Sequence, residues 1–338
     1  MKQEQTIKEL INRMLSGEQL SLARLITIVE RDTDDVPEIM RLIHPRTGRG
    51  YCIGVTGPPG GGKSTLVDKL VVLARGDELE VGIVAVDPTS PFSSGAVLGD
   101  RIRMQRHYLD SGVFIRSMAT RGSHGGLPHA AKGVIRLLDA FGMDYIIVET
   151  VGVGQAELDI MNRSDTTVVV LVPGAGDTVQ TMKAGIMEIA DIFVVNKADQ
   201  GGAEQVVADL ETMLEMRPDN SWWKTPIVTT QAHTGAGIDE LYRQIECHRQ
   251  ALVQSGRLTS RREAQRKDEV LESIQHKLQA QFRQLLERDG EFADIMKKAE
   301  AGEIDPYSAA RQIFGSESLL RSCLAAAEEE ERWEQPNR

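Results

Sequence analysis

The sequence predicts a doubly wound α/β fold with a mainly parallel sheet. Short runs rich in β-branched residues alternate with helical stretches, and a glycine-rich loop directly follows the first run. The runs are apolar throughout rather than alternating, which is typical of strands covered by helices on both faces. They are residues 51–56, 81–86, 113–117, 145–149, 166–172, 192–196 and 227–230.

Helices are predicted on both sides of this region. Apolar residues recur at three-to-four spacing over residues 7–15 and 22–29, which predicts two amphipathic helices separated by Ser16-Gly17. After residue 250 the strands stop, and the stripe from Leu271 to Leu285 predicts a long amphipathic helix that ends near Gly290. Asp305-Pro306 predicts the start of a further helix.

The chain is therefore expected to have three parts. On its pattern alone, the C-terminal stripe fits packing onto its own domain as well as it fits a dimerisation arm. The predicted parts are an N-terminal helical segment (1–47), a nucleotide-binding domain (48–250), and a C-terminal helical arm with an acidic tail (251–338).

Composition excludes several classes of protein. With 338 residues, 41% apolar and 26% charged side chains, the chain has the composition of a folded globular protein. A net charge of -11 without basic clusters argues against a nucleic-acid binder. The three cysteines are far apart in sequence and suggest no disulfide framework. The polar N-terminus and the shortness of the apolar stretch at 166–172 predict a cytoplasmic protein without a membrane segment.

The glycine-rich loop has the pattern of a phosphate-binding P-loop between a strand and a helix. Glycines let backbone N–H groups approach phosphates, Lys63 places a cation near the β and γ oxygens, and Ser64 offers a hydroxyl to Mg²⁺. The predicted nucleotide-contacting residues are Gly57, Pro58, Pro59, Gly60, Gly61, Gly62, Lys63, Ser64 and Thr65.

A second motif predicts the base. Asn196-Lys197-Ala198-Asp199 follows an apolar run, and a carboxylate at Asp199 can accept from both N–H groups on the guanine edge. The stretch Gln231-Ala232-His233 follows the last predicted strand, where a backbone N–H can reach guanine O6, with Ala232 as the candidate. An ordinary strand-to-helix turn is the alternative for that stretch.

Acidic residues at strand ends predict the magnesium site. Glu149 ends one run and Asp87 another, and Asp100 follows further along, so these carboxylates are candidate Mg²⁺ ligands together with Ser64. Asp87 and Asp100 also fit cap or turn residues. The position directly after Gly152, where other GTPases carry the glutamine that orients the attacking water, is occupied by valine, and Gln155 lies nearby but not at that position. The sequence therefore predicts slow intrinsic GTP hydrolysis that a partner accelerates.

The motifs resemble those of the MeaB/ArgK-type G proteins of the SIMIBI class. These are GTPase chaperones of adenosylcobalamin-dependent methylmalonyl-CoA mutase and include the human protein of methylmalonic aciduria type A. The resemblance rests on 57–65, 87–91, 98–104, 114–117 with Gly125-Gly126, 149–155 and 173–177, and it covers nearly the whole chain.

The resemblance carries further expectations. It implies a homodimer built by the C-terminal helices, and it implies that Asp87, Asp100 and Glu149 surround Mg²⁺. It makes Asp177 and Lys183 candidates for partner-triggered hydrolysis. It also implies that the GTP cycle gates cofactor loading and the protection or reactivation of an acyl-CoA mutase, while this chain itself need not bind cobalamin.

Two other functions fit the same motifs less well. A GTPase that inserts nickel or cobalt would carry a Cys/His cluster, and the histidines and cysteines here lack metal-ligand spacing. A kinase acting on a transport-system binding protein would need a base to activate the acceptor, and none is recognisable. The motifs predict Lys63, Asp100 and Glu149 as catalytic residues, and the resemblance adds Asp177 and Lys183, with Mg²⁺ and GTP or GDP as the expected ligands.

Overall fold

The computed structural model describes residues 2–87, 104–119, 129–150, 163–174, 189–216, 222–288 and 290–315. Within these ranges it confirms the predicted fold class, with seven strands in one fully parallel sheet of order β3-β2-β4-β1-β5-β6-β7. The strands are β1 Tyr51–Thr56, β2 Val81–Asp87, β3 Val113–Ala119, β4 Tyr145–Thr150, β5 Thr166–Leu171, β6 Ile192–Asn196 and β7 Ile227–Thr230.

Helices precede, flank and follow the sheet. The two predicted N-terminal helices are present, with a third that the sequence did not predict. The described α-helices are α1 Lys2–Leu15, α2 Gln19–Glu30, α3 Val36–Ile43, α4 Lys63–Gly76, α5 His129–Phe141, α6 Ala203–Glu215, α7 Ile238–Gln254, α8 Arg257–Arg288, α9 Gly290–Glu300 and α10 Pro306–Phe314.

Both faces of the sheet are covered, as the continuous apolar strands require. One core joins α1, α2, α3 and α5 to side chains such as Cys52, Val84 and Val148. The core on the other face joins α4 and α7 to Ile53, Val55 and their neighbours, while α6 packs on β5 and β6 in a third cluster. The N-terminal helices therefore pack in the same core as α5 and one face of the sheet.

The parallel register brings the predicted motifs to one edge of the sheet. Val55 of β1 pairs with Glu149 of β4, and Asn196 of β6 pairs with Thr230 of β7. The P-loop directly follows β1, which lies between β4 and β5 in the sheet. In open α/β sheets, ligands bind outside the carboxyl ends of the strands, which is where these residues lie.

The chain divides into two compact units, Met1–Arg262 and Glu263–Arg338. The first unit extends beyond residue 250, where the sequence places the boundary, because two arginines at the start of α8 bind carboxylates at the amino ends of strands. Arg262 binds Asp165 at 2.7 Å, and Arg261 binds Asp191 at 3.2 Å. The predicted division into three parts stays a prediction.

The second unit has a small core of its own. Phe292 and Ile313 are buried, and Phe282 stacks on Phe314 with ring centroids 5.6 Å apart. The predicted start of a helix at Asp305-Pro306 is confirmed, because the Asp305 carboxylate accepts hydrogen bonds from the first backbone N–H groups of α10 at 3.0 Å. Across the described helices, none is both long enough and apolar enough to cross a bilayer.

Candidate functional site

The P-loop connects β1 to α4, and its backbone requires glycine at two points. Gly57 has φ 139° and Gly62 has φ 84°, a region that side chains other than glycine rarely adopt. A Cβ atom at Gly57 would overlap the carbonyl oxygen of Val170, and one at Gly62 would overlap the amide of Asn196. The loop therefore lies directly against β5 and against the second predicted motif.

Lys63 begins α4 and is 6% exposed. Its Nζ donates to the carbonyl oxygens of Gly57 and Pro58 at 2.8 and 2.9 Å, so the ammonium group is held inside the curve of the loop. With the N-terminus of α4 beside it, this cation makes the loop a site for an anion.

Ser64 and Glu149 converge next to this cation. The Ser64 hydroxyl donates to Oε1 of Glu149 at 2.7 Å, and each residue is 6% exposed. An alcohol oxygen and a carboxylate at the start of a phosphate-binding helix are ligands that suit Mg²⁺. This pair fits the predicted magnesium site.

The other predicted magnesium ligands are only partly described. The backbone of Asp87 ends β2, and the pairing of Val86 with Thr150 places it at the same edge of the sheet as Glu149. The side chain of Asp87 and the whole of Asp100 lie outside the described residues, as do Gln155, Asp177 and Lys183. Throughout the described ranges, no three His, Cys, Asp or Glu side chains are grouped so that they could hold a metal ion.

Asn196 connects the two nucleotide motifs. Its amide nitrogen donates to the carbonyl oxygen of Gly61 at 2.8 Å. Its amide oxygen accepts from the hydroxyl of Thr230 and from the backbone N–H of Ala232, both at 3.0 Å. Asn196 is 2% exposed, and these three bonds fix the P-loop, β6 and the turn after β7 relative to one another.

The turn after Asn196 leaves Asp199 exposed. Lys197 adopts φ 57°, and the N–H of Ala198 donates to the carbonyl oxygen of Thr230 at 3.0 Å, so the start of this turn is held beside β7. The contact of this carboxylate with the edge of a guanine base stays a prediction.

The turn after β7 closes through a bridge between Gln231 and Ala236, and His233 is exposed. The N–H of Ala232 is already bonded to Asn196, so its contact with guanine O6 stays a prediction. A Cβ atom at Gly237 would overlap the carbonyl oxygen of Thr229, so the return of the chain into α7 depends on that glycine.

A contact that the sequence did not predict adjoins Glu149. The hydroxyl of Thr150 donates to the hydroxyl of Thr56 at 3.0 Å, and both residues are buried. This bond joins the residue before the P-loop to the residue after Glu149. Two threonines at adjacent strand ends are a weak signal in sequence, because only the pairing of β1 with β4 brings them together.

Comparison with known proteins gives consistent matches. Residues 22–286 match the sequence model of a family described as methylmalonyl-CoA mutase-associated GTPase MeaB. A protein of Pyrococcus abyssi named as a GTPase is 52% identical and covers 91% of this chain and 96% of that protein. The GTPase ArgK of Escherichia coli is 36% identical and covers 78% of this chain and 82% of that protein.

Two further relatives extend the comparison. The mouse protein named methylmalonic aciduria type A homolog, mitochondrial, is 28% identical and covers 91% of this chain and 79% of that protein. A crystal structure titled LAO/AO transport system kinase superposes with a TM-score of 0.66 at 27% identity, covering 92% of this chain and 97% of that one. The fold is thus shared along most of the chain.

Proposed function

This chain belongs to the family of methylmalonyl-CoA mutase-associated GTPases called MeaB and is itself a GTPase, and on that premise we propose that its GTP cycle serves an adenosylcobalamin-dependent acyl-CoA mutase. GTP binding and hydrolysis gate the loading of adenosylcobalamin into methylmalonyl-CoA mutase or a related enzyme, and support protection and reactivation of that enzyme. The observation that carries the mutase partner is the family match over residues 22–286.

Guanine selection is assigned to Asp199, with Asn196 holding the base loop against the phosphate loop. This role is supported by the three side-chain bonds of Asn196, which tie Gly61 to Thr230 and Ala232. A carboxylate can accept from both N–H groups on the guanine edge, whereas adenine offers no such pair of donors. Gln231, Ala232, His233 and Lys197 complete the proposed base site.

For hydrolysis, we assign binding and charge stabilisation to Lys63, Ser64 and Glu149. The Lys63 ammonium group would exchange its bonds to the loop carbonyls for bonds to the β and γ phosphate oxygens. Ser64, Glu149, Asp87 and Asp100 would hold Mg²⁺, which when bound neutralises charge that develops on the transferred phosphoryl group. Oxygen ligands suit that ion, and the contact between Ser64 and Glu149 supplies two of them.

Stimulation of hydrolysis by the partner is assigned to residues other than Ser64 and Glu149. Because Gln155 does not occupy the position directly after Gly152, the attacking water lacks the glutamine that usually orients it, and intrinsic hydrolysis should be slow. We propose that Asp177 and Lys183 respond to the bound mutase and complete the site, which would make turnover depend on the partner. No cobalamin site on this chain is part of the proposal.

A homodimer is the proposed assembly. Val270, Leu271, Ile274 and Leu278 of α8 are each at least half exposed, at 59%, 50%, 50% and 58%. Their spacing places them along one side of the helix, and a second copy of the same stripe would remove them from water. Each apolar side chain of this size contributes roughly 1.5–3 kcal/mol when it is fully buried.

One observation favours a second candidate. A solved structure that superposes on most of this chain is titled LAO/AO transport system kinase. A kinase would transfer the γ-phosphate to a protein acceptor rather than to water. Incubation with γ-labelled GTP and a candidate binding protein distinguishes the two, because a kinase labels the protein and a hydrolase releases all label as inorganic phosphate.

The mutase partnership is tested by binding. The full chain is mixed with purified methylmalonyl-CoA mutase in the presence of a non-hydrolysable GTP analogue, GDP or no nucleotide, and complex formation is measured by light scattering. A complex whose affinity changes at least tenfold between the nucleotide states is expected. A mutase that does not bind in any of the three states would contradict the proposal, while leaving the GTPase assignment intact.

A further inference from the structure

Two buried threonine hydroxyls meet at the carboxyl ends of β1 and β4. The hydroxyl of Thr150, the last residue of β4, donates to that of Thr56, the last residue of β1, at 3.0 Å. The ladder between these two strands ends with the pair of Val55 and Glu149. The hydroxyl bond therefore joins the strands one residue beyond their last backbone pair.

The hydroxyl pair lies on the face of the sheet opposite to the contact between Ser64 and Glu149. Successive side chains of a strand point to opposite faces. In β4, Val148 belongs to the core that contains the N-terminal helices, whereas Ile147 belongs to the core that contains α4. Thr150 is two residues after Val148 and so points to the same face. Glu149 points to the face of α4, where it accepts from Ser64.

Each threonine is next to a residue that holds the start of α4. The threonine of β1 directly precedes Gly57, whose carbonyl oxygen accepts from the ammonium group of Lys63 at 2.8 Å. The threonine of β4 directly follows Glu149, whose carboxylate accepts from the hydroxyl of Ser64 at 2.7 Å. Lys63 and Ser64 are consecutive residues at the start of α4. The hydroxyl bond therefore fixes, from behind the site, the two strand ends that α4 contacts in front.

Stability does not account for the two hydroxyls. Replacing both partners of a buried hydrogen bond by apolar groups of the same shape can be nearly neutral for the free energy of unfolding. Valine has the shape of threonine and occupies the paired positions on the outer neighbours, Val86 of β2 and Val169 of β5. A hydroxyl bond differs from a contact between two valines because it fixes the separation and the rotation of both side chains.

We propose that Thr56 and Thr150 are positioning residues for Mg²⁺-dependent nucleotide binding and GTP hydrolysis. Their bond holds the backbone of Glu149 at a fixed distance from the P-loop, so that its carboxylate is already in place beside Ser64 when the ion binds. The proposal rests on the proposed function, since it takes Glu149 as part of the magnesium site. The threonines act through Glu149 and the P-loop and bind neither nucleotide nor ion themselves.

The experiment uses the full chain with Thr56→Val, Thr150→Val, both changes together, or Thr150→Ser. The valine variants remove the hydroxyl bond and keep the shape, whereas serine keeps the hydroxyl. The affinity for a fluorescent, non-hydrolysable GTP analogue is measured in EDTA and in saturating Mg²⁺, and the ratio of the two affinities reports how well the site accepts the ion. Single-turnover GTP hydrolysis against Mg²⁺ concentration and thermal unfolding are measured alongside.

Thr166→Val is the matched control. The hydroxyls of Thr166 and Tyr51 form another buried bond, 2.5 Å long, at the amino end of the same sheet. The control variant should have lower thermal stability, because Tyr51 and His248 both lose a hydrogen-bond partner. Its ratio of affinities should equal that of the wild type, because the lost bond is at the edge of the sheet away from the P-loop.

The valine variants should change the response to Mg²⁺ and little else. In each single variant the gain in affinity from Mg²⁺ should be about tenfold smaller, and the Mg²⁺ concentration at half-maximal rate about tenfold higher, as for other groups that orient a metal ligand. The affinity in EDTA and the thermal stability should stay close to those of the wild type. The double variant should be no worse than either single one, because both changes remove the same bond. Thr150→Ser should restore the wild-type response.

Other patterns would overturn the proposal. They are an unchanged Mg²⁺ response in both single variants, an equal change in Thr166→Val, a double variant whose loss is the product of the two single losses, or a Thr150→Ser variant as impaired as Thr150→Val. Each valine change alone removes the bond, so if one variant does not fold, the other decides. A wild type that responds to Mg²⁺, with unshifted variants, rejects only this role of the threonines. A wild type that binds and hydrolyses GTP equally with and without Mg²⁺ rejects the proposed magnesium site as well.

Discussion

The side-chain amide of Asn196 donates to the carbonyl oxygen of Gly61 at 2.8 Å and joins two motifs that are 135 residues apart in sequence. The same side chain accepts from Thr230 and Ala232 on a third segment. One buried amide therefore sets the spacing between the P-loop and the turns that follow β6 and β7. Nucleotide affinity should depend on this residue even though its atoms are used mainly for contacts within the protein.

Replacing Asn196 with alanine should lower both stability and GTP affinity. The variant leaves the hydroxyl of Thr230 and the N–H of Ala232 without their acceptor, which costs roughly 2–4 kcal/mol of unfolding free energy. GTP affinity should fall about 100-fold, measured by titration of a fluorescent GTP analogue. The exposed Gln205→Ala serves as control and should change neither quantity. An Asn196→Ala variant with wild-type affinity would show that the loops hold their spacing without the amide.

Replacing Glu149 with glutamine should slow hydrolysis while leaving GDP binding nearly intact. Glutamine preserves the shape and can still accept the hydroxyl of Ser64, but it removes the charge that suits a divalent cation. The single-turnover rate should fall about 100-fold and the Mg²⁺ requirement should rise. Glu211→Gln, on the exposed side of α6, is the control. Unchanged Mg²⁺ dependence in Glu149→Gln would remove Glu149 from the magnesium site.

Replacing Asp199 with asparagine should change base selection rather than abolish nucleotide binding. The amide presents a donor where guanine needs a second acceptor, so GTP affinity should fall by about 100-fold or more. Xanthosine triphosphate carries an oxygen in place of the guanine amino group and should bind the variant better than GTP does. Competition binding with GTP and xanthosine triphosphate measures this change in base preference. Equal loss for both nucleotides would argue that Asp199 supports the loop and does not read the base.

Acid should weaken the fold through His248. This residue is fully buried, its Nδ1 is bonded to Thr166 at 2.8 Å, and it lies against Trp222 and Trp223. Burial lowers its pKa to about 4, while the Asp191 carboxylate 3.5 Å away opposes that shift only in part. The unfolded chain takes up a proton near pH 6.5 and the folded protein does so only near pH 4, so this stabilisation is complete above pH 6.5 and is lost as the pH falls to 4.

The size of the effect follows from the two pKa values. The difference between the pKa values of His248 in the unfolded and folded states corresponds to about 3 kcal/mol of unfolding free energy lost between pH 7 and pH 4. When urea unfolding is measured across that pH range, the unfolding free energy of His248→Gln should fall less steeply with pH than that of the wild type. The reason is that glutamine can keep a hydrogen bond to Thr166 but does not titrate. Parallel pH profiles for the two proteins would place the acid sensitivity in other groups.

Dimer formation should depend on the exposed stripe of α8. Leu271→Glu puts a charge among Val270, Ile274 and Leu278, and light scattering should then report a monomer at low micromolar concentration. Val253→Glu is the control, because Val253 is 57% exposed and belongs to α7, a different helix from the one that carries the stripe. A wild type that is monomeric at all concentrations, or a Leu271→Glu variant that is dimeric, would contradict the assembly.

The sheet could be predicted because its strands are continuous apolar runs between glycine-rich turns. The motif residues of the P-loop and of Asn196 to Asp199 could be placed because a parallel sheet brings its carboxyl strand ends to one edge. The sequence did not predict the short helix α3, Val36–Ile43, because its eight residues are fewer than the window over which helical periodicity is counted.

Contacts between distant segments could not be predicted. Nothing near His107 in sequence points to Asp68, which lies 39 residues away on another element. The same holds for the bonds from Arg262 to Asp165 and from Asn196 to Gly61. Side chains of these types are common on any surface, so their partners emerge only when the packed elements are known.

The central claim is tested most directly by GTP hydrolysis with and without purified methylmalonyl-CoA mutase, with ATP as the nucleotide control and Lys63→Ala as the protein control. The proposed function predicts slow turnover of GTP alone, at least tenfold stimulation by the mutase, no turnover of ATP, and no activity in Lys63→Ala. GTP turnover that is the same with and without the mutase would contradict the claim that this GTPase serves such an enzyme.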